Sequence, residues 1–308
     1  MRAKRWVWST PRARAGDPCH NVSINMARNL IKKTPVTELD QGTMLLALSG
    51  WMDGGDVSTE TVRRLAEHLG AHEIAQIDPE AFFIFNFPGS MDIAALFRPH
   101  VKIDNGFVNE FDLPENSFYC DQENNLIFFV GKEPNMRWRE FGEYIFEVAS
   151  EAKVSRILFV GSVAGTVPHT REPRLFATVS DLKLGAMLGK AGVRPTNYAG
   201  PGSFITYLMT HAEQRGFEMA SIVAEIPAYL QGTNPLSIEA VTRRLSIILD
   251  LKLDFDAMRG ESNAWEIQVS EAVEKDDELA KKIRKLEEQY DDELIDASAS
   301  DEWDAGRK

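Results

Sequence analysis

The sequence predicts an α/β sandwich with a largely parallel sheet, some added antiparallel strands and an amphipathic helix near the C-terminus. Three observations predict it: apolar runs of strand length that stop at glycine or proline, amphipathic stretches of helical length between them, and a late segment with 4-3-4 apolar spacing. The first strand is MLLALSG (44–50), followed by the helix VSTETVRRLAEHLG (57–70), whose Val62, Leu65, Ala66 and Leu69 share a face. Strands follow at EIAQID (73–78) and AFFIFN (81–86), then a hairpin within 102–121 and a strand at LIFFVG (126–131), with Asp, Asn and Gly supplying the turns. A helix over Trp138 to Ala152 leads into the strand RILFVGS (156–162). Two more helices, Asp181 to Ala191 and Ser203 to Arg215, precede the strand ASIVAEIP (220–227) and a helix from Ser237 to Leu251. In the tail, Leu279, Ile283, Leu286 and Tyr290 form a narrow apolar seam. That helix either packs on its own domain or caps a neighbouring subunit.

Composition narrows the function classes. The chain has 308 residues, 44% hydrophobic and 26% charged, as in an ordinary soluble globular protein. Two cysteines, Cys19 and Cys120, build no disulfide framework, which points to a reducing compartment, the cytoplasm. A net charge of −13 disfavours nucleic acid as a partner, and no apolar stretch is long enough for a transmembrane helix. The charge is uneven: residues 1–25 carry five basic residues against Asp17, while 271–308 carry fourteen acidic and seven basic ones. Residues 1–25 lack a signal-peptide core and read as a disordered basic leader, unless translation starts at Met26. The last residues, from 297, read as a disordered tail.

Open α/β sheets bind ligands beyond the carboxyl ends of their strands, so the loops there are the places to look for chemistry. Four are rich in glycine, proline and polar groups: 50–56 (GWMDGGD), 131–138 (GKEPNMRW), 161–171 (GSVAGTVPHTR) and 225–230 (EIPAYL). Gly54 and Gly55 permit close backbone approach and could present amides to an anion, while Asp53 or Asp56 could serve simply as a helix cap. Glu133 and Asn135 stand before a helix start, Asn135 as a possible cap, with Trp138 as an anchor or pocket wall. His169 and Arg171 could hold a carboxylate or phosphate, and His169 could exchange protons near neutral pH. Gly200 and Gly202 lead into a helix and could cradle an anion, but Ile205 stands where the third glycine of a dinucleotide fingerprint belongs.

Asp53, Glu133 and His169 are therefore the candidate catalytic groups. Gly54, Gly55, Asn135, Trp138, Arg171, Gly200, Gly202 and Tyr229 are the candidate ligand contacts. Neither a P-loop nor a nucleophile elbow is present, His68 and His72 are separated by Gly70, and neither a metal nor a cofactor is expected.

Taken in order, GWMDGG, GKEPNMRWREF, GSVAGTVPHTREP, YAGPGSF and EIPAYLQGTNPLS resemble the motifs of the proteasome assembly chaperone 2 family in its bacterial and archaeal form, over roughly Met44 to Leu253. The resemblance implies a three-layer α/β/α sandwich on a mostly parallel mixed sheet, phosphorylase/hydrolase-like, with a C-terminal helical extension. It divides the chain into a single α/β domain over 26–260 and an extension over 261–296. It also implies self-association, for example as trimers, and a protein partner, since eukaryotic relatives assemble proteasome α-rings. By position, Asp53, Gly55, Glu133, Trp138, His169, Arg171, Gly200, Gly202, Pro227 and Tyr229 match family motif residues. Ala228 departs from the pattern, because relatives often carry histidine there. Two functions follow: a non-catalytic, homo-oligomeric assembly or scaffold protein, or an enzyme or sensor for an anionic or nucleoside-like molecule. Some relatives are labelled as ATP-grasp ligases, but the chain shows neither a glycine-rich phosphate lid nor an acidic Mg²⁺ cluster.

Overall fold

A computed structural model describes residues 29–297, with side chains to residue 294; the expectations for 1–25 and for the tail beyond 297 lie outside it. In chain order the elements begin with β1 (Leu30–Lys32), β2 (Gly42–Ser49), α1 (Val57–His68), β3 (His72–Ile77), α2 (Met91–Ala95), β4 (His100–Asp104) and β5 (Phe107–Asp112). They continue with β6 (Ser117–Asp121), β7 (Leu126–Lys132), α3 (Trp138–Glu151), β8 (Val154–Gly165), β9 (Leu175–Val179), α4 (Leu182–Lys190), β10 (Arg194–Pro195) and α5 (Phe204–Ala212). The last are β11 (Glu218–Pro227), α6 (Pro235–Ile248), α7 (Asp256–Val273) and α8 (Asp277–Ala297).

Nine strands form one sheet in the order β1-β3-β6-β7-β2-β8-β11-β9-β10. The four central strands, β7, β2, β8 and β11, run parallel, and antiparallel pairings flank them on both sides. Central parallel strands are covered on both faces, which is why β2 and β7 read as unbroken apolar runs. On one face α3 and α5 bury Phe141, Ile145, Phe204 and Leu208; on the other α1, α4 and α6 bury Val62, Leu65, Leu184 and Leu245. The result is the expected three-layer sandwich. Gly142 lets α3 approach α5, since a Cβ there would lie 2.8 Å from the Leu208 Cδ2 atom.

Capping chemistry explains several helix starts. Asp181 accepts from the Lys183 and Leu184 amides, Ser203 from Thr206, and Asn234, followed by Pro235, from Ser237.

Several expectations need correction. The segment AFFIFN is not a strand: a short 3-10 turn over Pro79–Ala81, entered through Asp78, leads into a loop. Phe82 and Phe83 are buried there against Phe141, so their apolarity reflects packing under α3 rather than pairing in a sheet. The region 102–121 is not one hairpin. β4 and β5 pair as a separate two-stranded sheet, while β6 joins β3 and β7 in the main one. Strands β1, β9 and β10 add to those the sequence predicts.

The C-terminal extension is a pair of helices. α7 runs against α6, held also by the Arg64–Glu261 ion pair at 2.8 Å. α8 packs back on its own domain with Ile283 and Tyr290 buried, and the Tyr290 hydroxyl donates to the Glu172 carbonyl at 2.8 Å.

Candidate functional site

The loops after β2, β7, β8 and β11 emerge from adjacent parallel strands and therefore lie along one edge of the sheet. In the first, Met52 accepts from the Ser162 amide and Asp53 bridges Ser162, which ties this loop to the end of β8. The Asp53 carboxylate accepts from the Thr59 amide at 3.1 Å and from the Thr59 hydroxyl at 2.8 Å. It thereby caps the first turn of α1, where a negative group also meets the positive end of the helix. Burial nevertheless dominates and raises its pKa from 3.8 to about 6, against the lowering effect of the Thr59 bonds. Asp56 takes the residue position before α1, but its carboxylate accepts from the Thr233 hydroxyl at 2.6 Å.

The two glycines of this loop meet protein atoms. A Cβ on Gly54 would lie 2.7 Å from Ile226 Cδ1. Gly55 has φ 64°, its carbonyl accepts from the Asn234 amide at 2.9 Å, and a Cβ would lie 2.9 Å from that of Asn234.

In the second loop, Glu133 accepts from the Phe204 amide at 2.8 Å through Oε1 and from the Trp51 amide at 3.4 Å through Oε2. The start of α5, where an anion was expected beside Gly200 and Gly202, thus receives the chain's own carboxylate. Gly200 lies under the Tyr198 ring, whose hydroxyl donates to the Pro201 carbonyl at 3.1 Å, whereas Gly202 faces open space. Asn135 does not cap α3. Its Oδ1 accepts from the Ile84 amide at 3.1 Å, and Arg137, in a left-handed conformation, precedes the helix. Trp138 anchors the turn: Nε1 donates to the Pro134 carbonyl at 2.7 Å, and the ring meets Phe204 edge-on.

In the third loop, His169 is buried, 2% exposed. The Tyr229 hydroxyl accepts from the His169 backbone amide at 2.8 Å and lies 2.8 Å from Nδ1, while Nε2 is 3.1 Å from Ser270 Oγ on α7. Either neutral tautomer completes these bonds: Tyr229 donates to Nδ1 while Nε2–H donates to Ser270, or Nδ1–H donates to Tyr229 while Ser270 donates to Nε2. Burial pushes the imidazole pKa down, favouring the neutral ring, and raises that of Tyr229 from 10 to about 12. Arg171 holds both oxygens of Asp291 on α8, at 2.9 and 2.8 Å.

The candidate residues therefore share an edge but divide into separate clusters. Asp53 works with Thr59, Glu133 with Trp51 and Phe204, and His169 with Tyr229 and Ser270. Sequence reasoning missed Ser270 and Asn234, and it placed Glu225 in a strand-end loop without giving it a role; Glu225 accepts from the Thr166 amide and pairs with Arg174 at 3.4 Å. Asn234 carried a local signal, as an asparagine before a proline at a helix start.

It also missed the most exposed apolar feature among the described residues, the arm formed by 85–113. In its hairpin, Val101 pairs with Phe111 and Ile103 with Val108 on one face. On the other, Lys102 forms an ion pair with Glu110 at 3.3 Å and His100 Nδ1 lies 3.2 Å from Asp112 Oδ2. The apolar face is uncovered: Ile103 is 58%, Val108 63% and Phe111 59% exposed, and Phe107 near the tip 74%. Neighbouring Met91 and Leu96 are exposed too, and an open groove of about 660 Å³ runs between Phe85, Arg98, Val101, Phe111 and Leu113.

Among the described residues no helix is long and apolar enough to cross a membrane.

The model of the PAC2 family matches residues 47–273. No curated protein matches the chain. Solved structures do. A Corynebacterium glutamicum protein of unknown function is 22% identical with a TM-score of 0.75, over 87% of this chain and 99% of the other. A PAC2 family protein from Streptomyces avermitilis is 25% identical with a TM-score of 0.65, over 78% and 99%. A Mycobacterium tuberculosis proteasome-assembly chaperone homologue is also 25% identical, with a TM-score of 0.67 over 78% and 99%.

Proposed function

The chain belongs to the PAC2 family, and from that premise we propose that it is a non-catalytic assembly factor, a cytoplasmic homo-oligomer that binds a protein partner. The uncovered arm carries the proposal. An isolated two-stranded hairpin is marginally stable in water, so one with an exposed apolar face needs something to cover it. At about 200 Å² per side chain, Phe87, Phe107 and Phe111 alone leave roughly 350 Å² exposed. That already reaches the size of the largest patch on a typical monomer. With the aliphatic side chains of the arm added, it approaches the roughly 800 Å² that each partner contributes to a standard interface.

The occupant that fits is a second copy, because the arm offers both a projecting apolar tip and an apolar groove at its base. The likeness to the M. tuberculosis proteasome-assembly chaperone homologue supports a role in building protein complexes. On this reading Asp53, Glu133 and His169 hold loops in place, since each already has protein partners. The buried thiol of Cys120 accords with a reducing compartment.

Sedimentation velocity of the wild type and of Phe107→Ser/Phe111→Ser tests the proposal. The wild type sediments as an oligomer and the double variant, with unchanged circular dichroism, as a monomer. A monomeric wild type, or a variant that sediments as the wild type does, overturns it.

A further inference from the structure

The C-terminal half of α8, from Leu286 to Ala297, carries six carboxylates and no basic residue. It lies on a surface that carries Arg171 and Arg174, with Arg243 and Arg244 behind them. Thr170 donates to Glu287, Arg171 grips Asp291 in bidentate fashion, and Arg174 pairs with Glu293 while its guanidinium stacks over the Tyr290 ring at 4.8 Å. Behind them Arg243 and Arg244 hold Glu172, whose carbonyl receives the Tyr290 hydroxyl. Among the described side chains of α8, only Ile283 and Tyr290 are buried. The contact is thus mainly ionic and partly exposed, the kind that salt and competing charges loosen.

We propose that the surface around Thr170, Arg171 and Arg174 is a docking site for an acidic helix, occupied here by the chain's own α8, and that an acidic helical segment of a partner protein takes α8's place. The contacts of α8 define the chemistry the partner needs: carboxylates four residues apart, at the spacing of Glu287 and Asp291, to meet Thr170 and Arg171, and an aromatic side chain to lie under Arg174. The site is separate from the arm, so its test does not depend on self-association.

The test uses the full chain with Glu287→Gln, Asp291→Asn and Glu293→Gln together, and a fluorescent synthetic peptide of residues 277–297 as the probe. Amides over 286–294 exchange at least tenfold faster in the triple variant than in the wild type. The peptide binds the variant at least tenfold more tightly than the wild type, and this binding weakens at least tenfold between 50 and 500 mM salt. Adding Arg171→Gln and Arg174→Gln to the variant abolishes it. If the variant is poorly folded, the wild type at 1 M salt supplies the same exchange readout. Unchanged α8 exchange in both cases overturns the proposal. So does an accelerated α8 with no peptide binding, or equal binding to variant and wild type.

Discussion

Replacing Asp53 by asparagine separates a capping role from an ionic one. Asparagine keeps the geometry, since Oδ1 can accept from the Thr59 amide and Nδ2 can donate to the Thr59 hydroxyl. It removes a carboxyl whose pKa burial has raised from 3.8 to about 6, a shift worth about 3 kcal/mol in favour of the protonated form. The folded-state pKa lies above the unfolded one. The contribution is therefore fully present below pH 3.8 and is lost as pH rises through 6. The stability of Asp53→Asn relative to wild type should then rise by about 2–3 kcal/mol between pH 4 and pH 8. At roughly 2–4 °C per kcal/mol for a domain of this size, that is about 4–12 °C in Tm. Scanning calorimetry of both proteins at several pH values measures it, and the titration of His169, common to both, cancels. A difference that stays flat with pH would show that Asp53 titrates normally and would refute the argument from burial.

Other outcomes are expected from the same geometry. His169→Phe strands Ser270 Oγ and weakens Tyr229, costing about 2–4 kcal/mol in denaturant unfolding. Because burial holds the folded-state pKa of His169 below 6.5, the wild type loses this contribution as pH falls from 6.5, and the variant should lack that slope. Gly55→Ala forces a left-handed φ and a 2.9 Å contact with Asn234, for a loss of about 1–3 kcal/mol measured by urea midpoint. Gly142→Val pushes α3 away from Leu208 on α5, with a loss of about 1–3 kcal/mol in the same assay.

Most of the legible strands are the central ones: β2 and β7 show unbroken apolar runs because helices cover both sides of the sheet, β8 and β11 carry shorter runs for the same reason, and the half-buried β3 was legible from EIAQID. β1, with three residues, and β9, only partly buried, offer too little pattern to recognise. AFFIFN misled because apolar content alone does not separate a strand from a loop packed beneath a helix. The strand-end loops were legible through the rule for open sheets, but their occupants were not. The partner of His169 lies 101 residues away at Ser270, and that of Arg171 lies 120 away at Asp291, so only the fold brings them together. Likewise the carboxylate at the start of α5 comes from a loop 71 residues earlier. The arm escaped notice because its two strands and β6 read as one hairpin, and whether an apolar face is covered cannot be read from alternation.

Hydrogen exchange across Val101–Asp112, followed at sub-micromolar and at tens of micromolar protein, tests the central claim most directly. An arm covered by another copy exchanges slowly at high concentration and becomes fast on dilution, while the amides of β2 remain protected throughout. Fast exchange of the arm at every concentration would contradict the account.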